Sequence, residues 1–269
     1  MTALWQIFAI ARTEFRFGLR RGWPVIGTAA VGLVVSAGTL YLAFLNMEDM
    51  SSKYAAEVGA SALAMAWPAF QWLALGVLPI VTAPTIPADR QFGVDELLRS
   101  TPLAGSIYLA GKVLGVIAAM LLTATVALVL HILLHLALIG PINLALYLEL
   151  TFLNGLPLLL WATTIGVLAA SGLHSRRLAI FVGILVGVLG PYPWALAFRP
   201  PPELNFVPYT SLLSRQAASD FIFQRHNLLP WWVTPVTTGQ IIQVYTLTFL
   251  TLLIVAFAAR LWLRWKENF

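Results

Sequence analysis

The chain has 269 residues, of which 59% are hydrophobic and only 10% charged. A soluble domain carries about 25% charged residues, so too few polar groups are present to cover a water-facing surface, and a polytopic membrane protein is expected. The absence of cysteine excludes disulfides and thiolate metal sites, and the formal charge of +5 points to basic loops on one side of a bilayer rather than to nucleic acid.

Residues 1–22 place apolar residues before arginines, the reverse of a signal peptide. Leu4, Phe8, Ala11, Phe15 and Leu19 recur at helical spacing, while Arg12, Arg16 and Arg20 form a row on another face. This predicts an amphipathic helix in the cytosolic headgroup layer. The alternative is an extension of the first span.

A transmembrane helix needs about 20 apolar residues. Six stretches meet that need: about Pro24 to Leu45, Ala60 to Ala83, Ile107 to Ile139, Leu144 to Ser171, Leu178 to Phe198 and Ile241 to Leu263. Pro68, Pro79 and Pro157 lie inside spans and predict kinks or early ends. Gly140-Pro141-Ile142-Asn143 reads as a tight turn. Gly172 to Arg177 reads as a short basic one. Gly183 and Gly187, four apart, allow a close helix approach.

Six spans put both termini on one side. That side would carry Arg12, Arg16, Arg20, Arg21, Arg90, Arg99, Lys112, Arg176, Arg177, Arg260, Arg264 and Lys266, leaving Lys53, Arg199, Arg215 and Arg225 for the other. The bias makes the first side cytosolic. The acidic loop from Asn46 to Glu57 and the long loop 199–240 then face out. Within the long loop, Thr210 to Asn227 has the pattern of an amphipathic helix, followed by Trp231 and Trp232 as interfacial anchors. Either a short re-entrant helix or a folded lid fits it.

The sequence holds no recognised catalytic motif. Gly105 to Val113 resembles a phosphate loop only loosely, with one residue too many between its glycines and Val after the Lys. His131 and His135 share a face of the third span, a spacing able to bind a metal, with Glu149 at similar depth as the third candidate. Polar residues facing the bundle are the plainer reading of the pair. Glu149 lies near the outer turn, where a carboxylate costs less than at mid-membrane. Interfacial placement and a proton or cation relay are both open for it.

The segment Pro84 to Lys112 is the polar interruption between spans two and three. Asp89 to Arg99 reads as a short amphipathic helix, with Val94, Leu97 and Leu98 on one face and Asp95, Glu96 and Arg99 on the other. Ser100-Thr101-Pro102 breaks it, because the residue before proline avoids the helical region. A charged elbow with an apolar stripe is suited to docking a soluble partner.

This segment resembles the cytosolic loop of ABC-2-type exporter permeases of the ABCG-like, type V class. Asp89, Arg90, Gly93, Glu96, Leu97, Leu98, Thr101, Pro102, Leu103 and Lys112 fit that loop's pattern. Ala104-Gly105 stands where the family has Ser-Arg, and Val94 replaces its usual Thr. Ile7, Ala9, Arg12, Glu14 and Phe15 resemble the family's entry helix. The resemblance implies a single all-α transmembrane permease domain over residues 1–269, set in the inner (cytoplasmic) membrane. Its parts would be an interfacial helix (1–22), six spans, a cytosolic coupling segment (84–112) and an extracytoplasmic loop (199–240).

It also implies two separate ATPase subunits carrying ATP and Mg, and a second permease copy or homologue. Coupling would pass through Asp89, Arg90, Gly93, Asp95, Glu96, Leu97, Leu98, Arg99, Thr101 and Pro102 of the elbow and Arg12, Glu14 and Arg16 of the entry helix. This chain itself would hold no cofactor and catalyse nothing. The nearly charge-free spans suit a hydrophobic or lipid-like cargo. The competing readings are a membrane-embedded metal-dependent enzyme using His131, His135 and Glu149, and an ion-coupled secondary transporter. The second normally needs buried charges and inverted repeats.

Overall fold

The computed structural model of this chain describes residues 3–20, 22, 38, 76–93, 104–138, 142–186, 221–226 and 237–267. The described residues are mostly helical, with no strand among them. Among the described residues, two helices are long and apolar enough to cross a membrane, Gly105–Ala137 and Leu144–Ala169. The expected first span apart from residue 38, most of the second, the acidic loop, residues 187–220 and residues 227–236 with the Trp231 and Trp232 anchors lie outside the described residues. So do Asp95, Glu96, Leu97, Leu98, Arg99, Thr101 and Pro102 of the elbow.

Helix α1 (Ala3–Arg20) packs on the first turns of α3 (Gly105–Leu138). Glycine makes this approach possible. A Cβ at Gly111 would lie 2.6 Å from that of Ile10, and one at Gly115 would lie 2.6 Å from both the Ala11 carbonyl oxygen and the Glu14 Cβ. A Cβ at Gly18 would meet Ala119 at 3.2 Å. The contacts climb both helices together, so α1 runs alongside α3 in the same direction. Its packed face is Ile7, Ile10, Ala11, Glu14 and Gly18. The expected apolar stripe is offset from this face, and Leu4, Phe8 and Leu19 are exposed. Past the end of α1, Gly22 takes φ 59°, the left-handed conformation that ends helices with little strain only for glycine.

Residues 76–82 are helical and turn at 83–84 into α2 (Thr85–Gln91). Pro84 and Pro87 fall at the N-cap and in the first turn of α2, where a missing N–H costs nothing. The helix read from the sequence over Asp89 to Arg99 is not continuous. It stops at Gln91, and Gly93 follows at φ 71°. The backbone around Pro79 is clasped by two glycines. A Cβ at Gly166 would lie 2.7 Å from the Pro79 Cα, and one at Gly183 would lie 2.8 Å from the Ile80 Cα. Gly183 therefore serves a contact within the chain.

The fourth expected span has three parts: α4 (Leu144–Glu149), a π-helical turn (Leu150–Gly155) and α5 (Leu156–Ala169). Asn143 caps α4 by accepting a hydrogen bond from Leu146 N at 3.1 Å. Pro157 lacks the N–H that an α-helix would offer to the Leu153 carbonyl. The Tyr245 hydroxyl donates to that oxygen instead, from α7 (Thr238–Glu267). The expected kink is thus a π-turn just ahead of the proline, held by a neighbouring helix. The basic turn is shorter than expected, since Arg176 already opens α6 (Arg176–Ile184) behind a Ser175 cap.

Packing orders the two ends of the molecule. Tyr245 meets Leu153, while Ala259 packs in the same cluster as Leu168, so α5 and α7 run in the same direction. The chain must return between them. It does, for α6 starts beside α2, whereas Ile222 and Phe223 are buried at the opposite end against Leu146, Tyr147 and Leu150.

Candidate functional site

Lys112 projects from the second turn of α3. Its ammonium group pairs with Glu14 of α1 and Asp89 of α2. The three residues are 6%, 4% and 8% exposed. The Tyr108 hydroxyl, one turn earlier on α3, donates to the Asp89 carboxylate at 2.6 Å. Its ring lies 5.8 Å from the Lys112 ammonium. An ammonium has three donor hydrogens and no acceptor, which suits it to hold two carboxylates at once. The cluster joins three helices that the sequence separates by up to 98 positions.

The junction extends one step further. Arg90, next to Asp89, donates to the Leu173 carbonyl at 2.8 Å. Leu173 sits in the turn between α5 and α6. Adjacent elbow residues therefore grip opposite neighbours: Asp89 holds α3 through Lys112, which also holds Glu14 of α1, and Arg90 holds the 170–175 turn. A displacement of α2 would be felt by each of them. Burial makes the junction sensitive to loss of any member, because removing one partner of a buried pair leaves an uncompensated charge costing about 3–5 kcal/mol.

The other sequence-derived candidates divide clearly. Glu14, Asp89 and Arg90 are in the junction, and Gly93 ends α2. Arg12 and Arg16 lie on the opposite, exposed side of α1. His131 and His135 are buried at the far end of α3. Each bonds to the Tyr147 hydroxyl, His131 through Nε2 at 2.9 Å and His135 through Nδ1 at 3.1 Å. Glu149 does not join them but pairs with Arg225 at 3.4 Å and lies 3.4 Å from His226 Nε2, which adds an ion pair only when its imidazole is protonated. No set of three His, Cys, Asp or Glu residues able to hold a metal is found among the described residues.

No protein-family model matches the sequence, and no curated protein matches it. The functional reading therefore rests on the chain's own geometry and on the resemblance of its elbow and entry helix.

Sequence reasoning missed Tyr108, Tyr147 and Tyr245. All three are aromatic residues in apolar helices, where a phenol adds no visible interruption to the pattern. It also missed Lys112 as the centre of the junction. The available signal was a lone ammonium in an apolar helix, with a lone carboxylate in the arginine-rich α1.

Proposed function

We propose that this chain is the membrane-embedded subunit of an ATP-driven exporter and that the Glu14–Lys112–Asp89 junction transmits motion from a separate ATPase. One observation carries the reading. The elbow, the entry helix and the foot of a long apolar helix meet at one buried ammonium. In the exporter reading, those are the elements that must move together.

The mechanism is mechanical. ATP and Mg sit on the partner ATPases, whose closure pushes the elbow beyond Gly93. Helix α2 passes the push through Asp89 to Lys112 and through Arg90 to the 170–175 turn. Helix α1 follows because Glu14 and the two glycines of α3 hold it there. The spans then tilt between inward- and outward-facing states around a hydrophobic cargo. No residue of this chain makes or breaks a covalent bond in the cycle.

The test uses the full chain purified from cells after mild cross-linking. A Walker-motif ATPase should co-purify in equal amount, and lipid-like compounds should stimulate its hydrolysis in reconstituted vesicles. Replacing Glu96 and Arg99 together should uncouple that stimulation. Tight binding of labelled ATP by the isolated chain would overturn the reading. So would stimulation that survives the double replacement.

A further inference from the structure

The side of α1 turned away from α3 carries Arg12, Arg16 and Arg20, all exposed, with no ion pair to any described residue. The only acid on the helix, Glu14, faces the other way and is neutralised by Lys112. The outward side is therefore purely cationic. Between and beside the arginines, Phe17 and Leu19 are exposed as well.

The depth of this row follows from helix lengths. Helix α3 has 34 residues, about 51 Å at 1.5 Å per residue, against a hydrocarbon core of about 30 Å. About 20 Å of it must lie outside that core. The contact between Gly18 and Ala119 puts Arg20 level with about residue 121. The remaining stretch, 121–138, rises about 27 Å, close to one hydrocarbon thickness. Exposure agrees: Leu122, Val126, Val129, Leu130, Leu133 and Leu136 are exposed beyond that level, and only Leu114 before it among the large apolar residues of α3. Exposed arginines inside hydrocarbon carry a desolvation penalty that the headgroup layer spares them, which favours this depth over a deeper one.

We infer that the Arg12–Arg16–Arg20 row is a binding surface for the headgroups of anionic phospholipids. Helix α1 stands beside the foot of α3 and brings Arg16 and Arg20 up to the phosphate layer, with Phe17 and Leu19 at its apolar edge. Charge complementarity selects the occupant: a row of guanidinium groups with no ion pair to a described residue meets lipid phosphate first at that depth, and anionic headgroups bind it more tightly than zwitterionic ones. The inference rests on α3 crossing a bilayer and is independent of ATPase coupling.

The experiment compares the full-length chain in vesicles of phosphatidylcholine alone and of phosphatidylcholine mixed with phosphatidylglycerol, reading lipid retained after extraction and the melting temperature. Wild type should retain phosphatidylglycerol preferentially and melt higher in the mixture. The R12Q/R16Q/R20Q variant should lose that preference by about fivefold per arginine, whereas R12K/R16K/R20K should keep most of it. Added salt should erode the wild-type preference, a readout independent of how the variants fold. Equal retention of both lipids by wild type overturns the inference. So does unchanged lipid preference in the glutamine variant with loss of a co-purifying soluble protein, which would assign the row to a protein partner.

Discussion

Lys112 and Glu14 meet in a junction where both side chains are more than nine-tenths buried. They come from helices that run side by side because Gly111 and Gly115 leave room for the α1 backbone. Replacing Lys112 by Met would leave the Glu14 and Asp89 carboxylates buried without a counter-ion. The expected loss is about 3–5 kcal/mol, seen as a large fall in melting temperature. The triple variant E14Q/D89N/K112M removes the charges together and should recover most of that stability. If K112M melts like wild type, the pair is not held as described.

Gly115 should tolerate no side chain. Gly115→Ala puts a methyl group 2.6 Å from the Ala11 carbonyl oxygen and the Glu14 Cβ. Backbone cannot swing aside, so α1 must lift, at a cost of about 1–3 kcal/mol. Tryptic cleavage after Arg12 and Arg16 should accelerate in this variant. The control is Gly239→Ala, where no atom lies within 4 Å of the added Cβ, and the rate should be unchanged.

Tyr245 and Pro157 form a testable pair. Tyr245→Phe removes the donor to the Leu153 carbonyl, at about 0.5–1.5 kcal/mol. Pro157→Ala restores an N–H in the same helix and should reduce that penalty. A double-mutant cycle on thermal or denaturant unfolding should show a coupling of at least about 0.5 kcal/mol. Additive effects would separate the two residues.

At the far end, apolar anchoring should outweigh charge. Arg225 is 55% exposed beside Glu149, and such pairs contribute about 0–1 kcal/mol. Phe223 is 2% exposed, and truncating a buried Phe costs about 3–5 kcal/mol. Glu149→Gln should therefore leave cleavage after Arg225 nearly unchanged, while Phe223→Ala should speed it many-fold. The reverse order would make the ion pair the anchor.

Composition and hydropathy alone determined that the chain is helical and apolar, because a bilayer-length run of uncharged residues is a local property. The breaks were legible only in part: the tight turn ending at Asn143 does precede α4, but the sequence pattern runs a helix through Gly93, where α2 has already ended, and keeps Arg176 in a turn that the Ser175 cap already closes. Packing was a different matter. Periodicity shows that α1 has faces, and the row of arginines marks one of them correctly. It does not show that Glu14 belongs to a third face, because that depends on which helix offers a glycine groove and a buried ammonium. His131 and His135 likewise share a helix face, which left both a metal pair and, more plainly, polar residues facing the bundle; only the fold brings the Tyr147 hydroxyl to both rings. The sequence determined that Gly105–Ala137 and Leu144–Ala169 are long and apolar enough to cross a membrane. Only the tertiary structure decided which charges meet, because a buried pair is set by three-dimensional proximity across as many as 98 positions of chain.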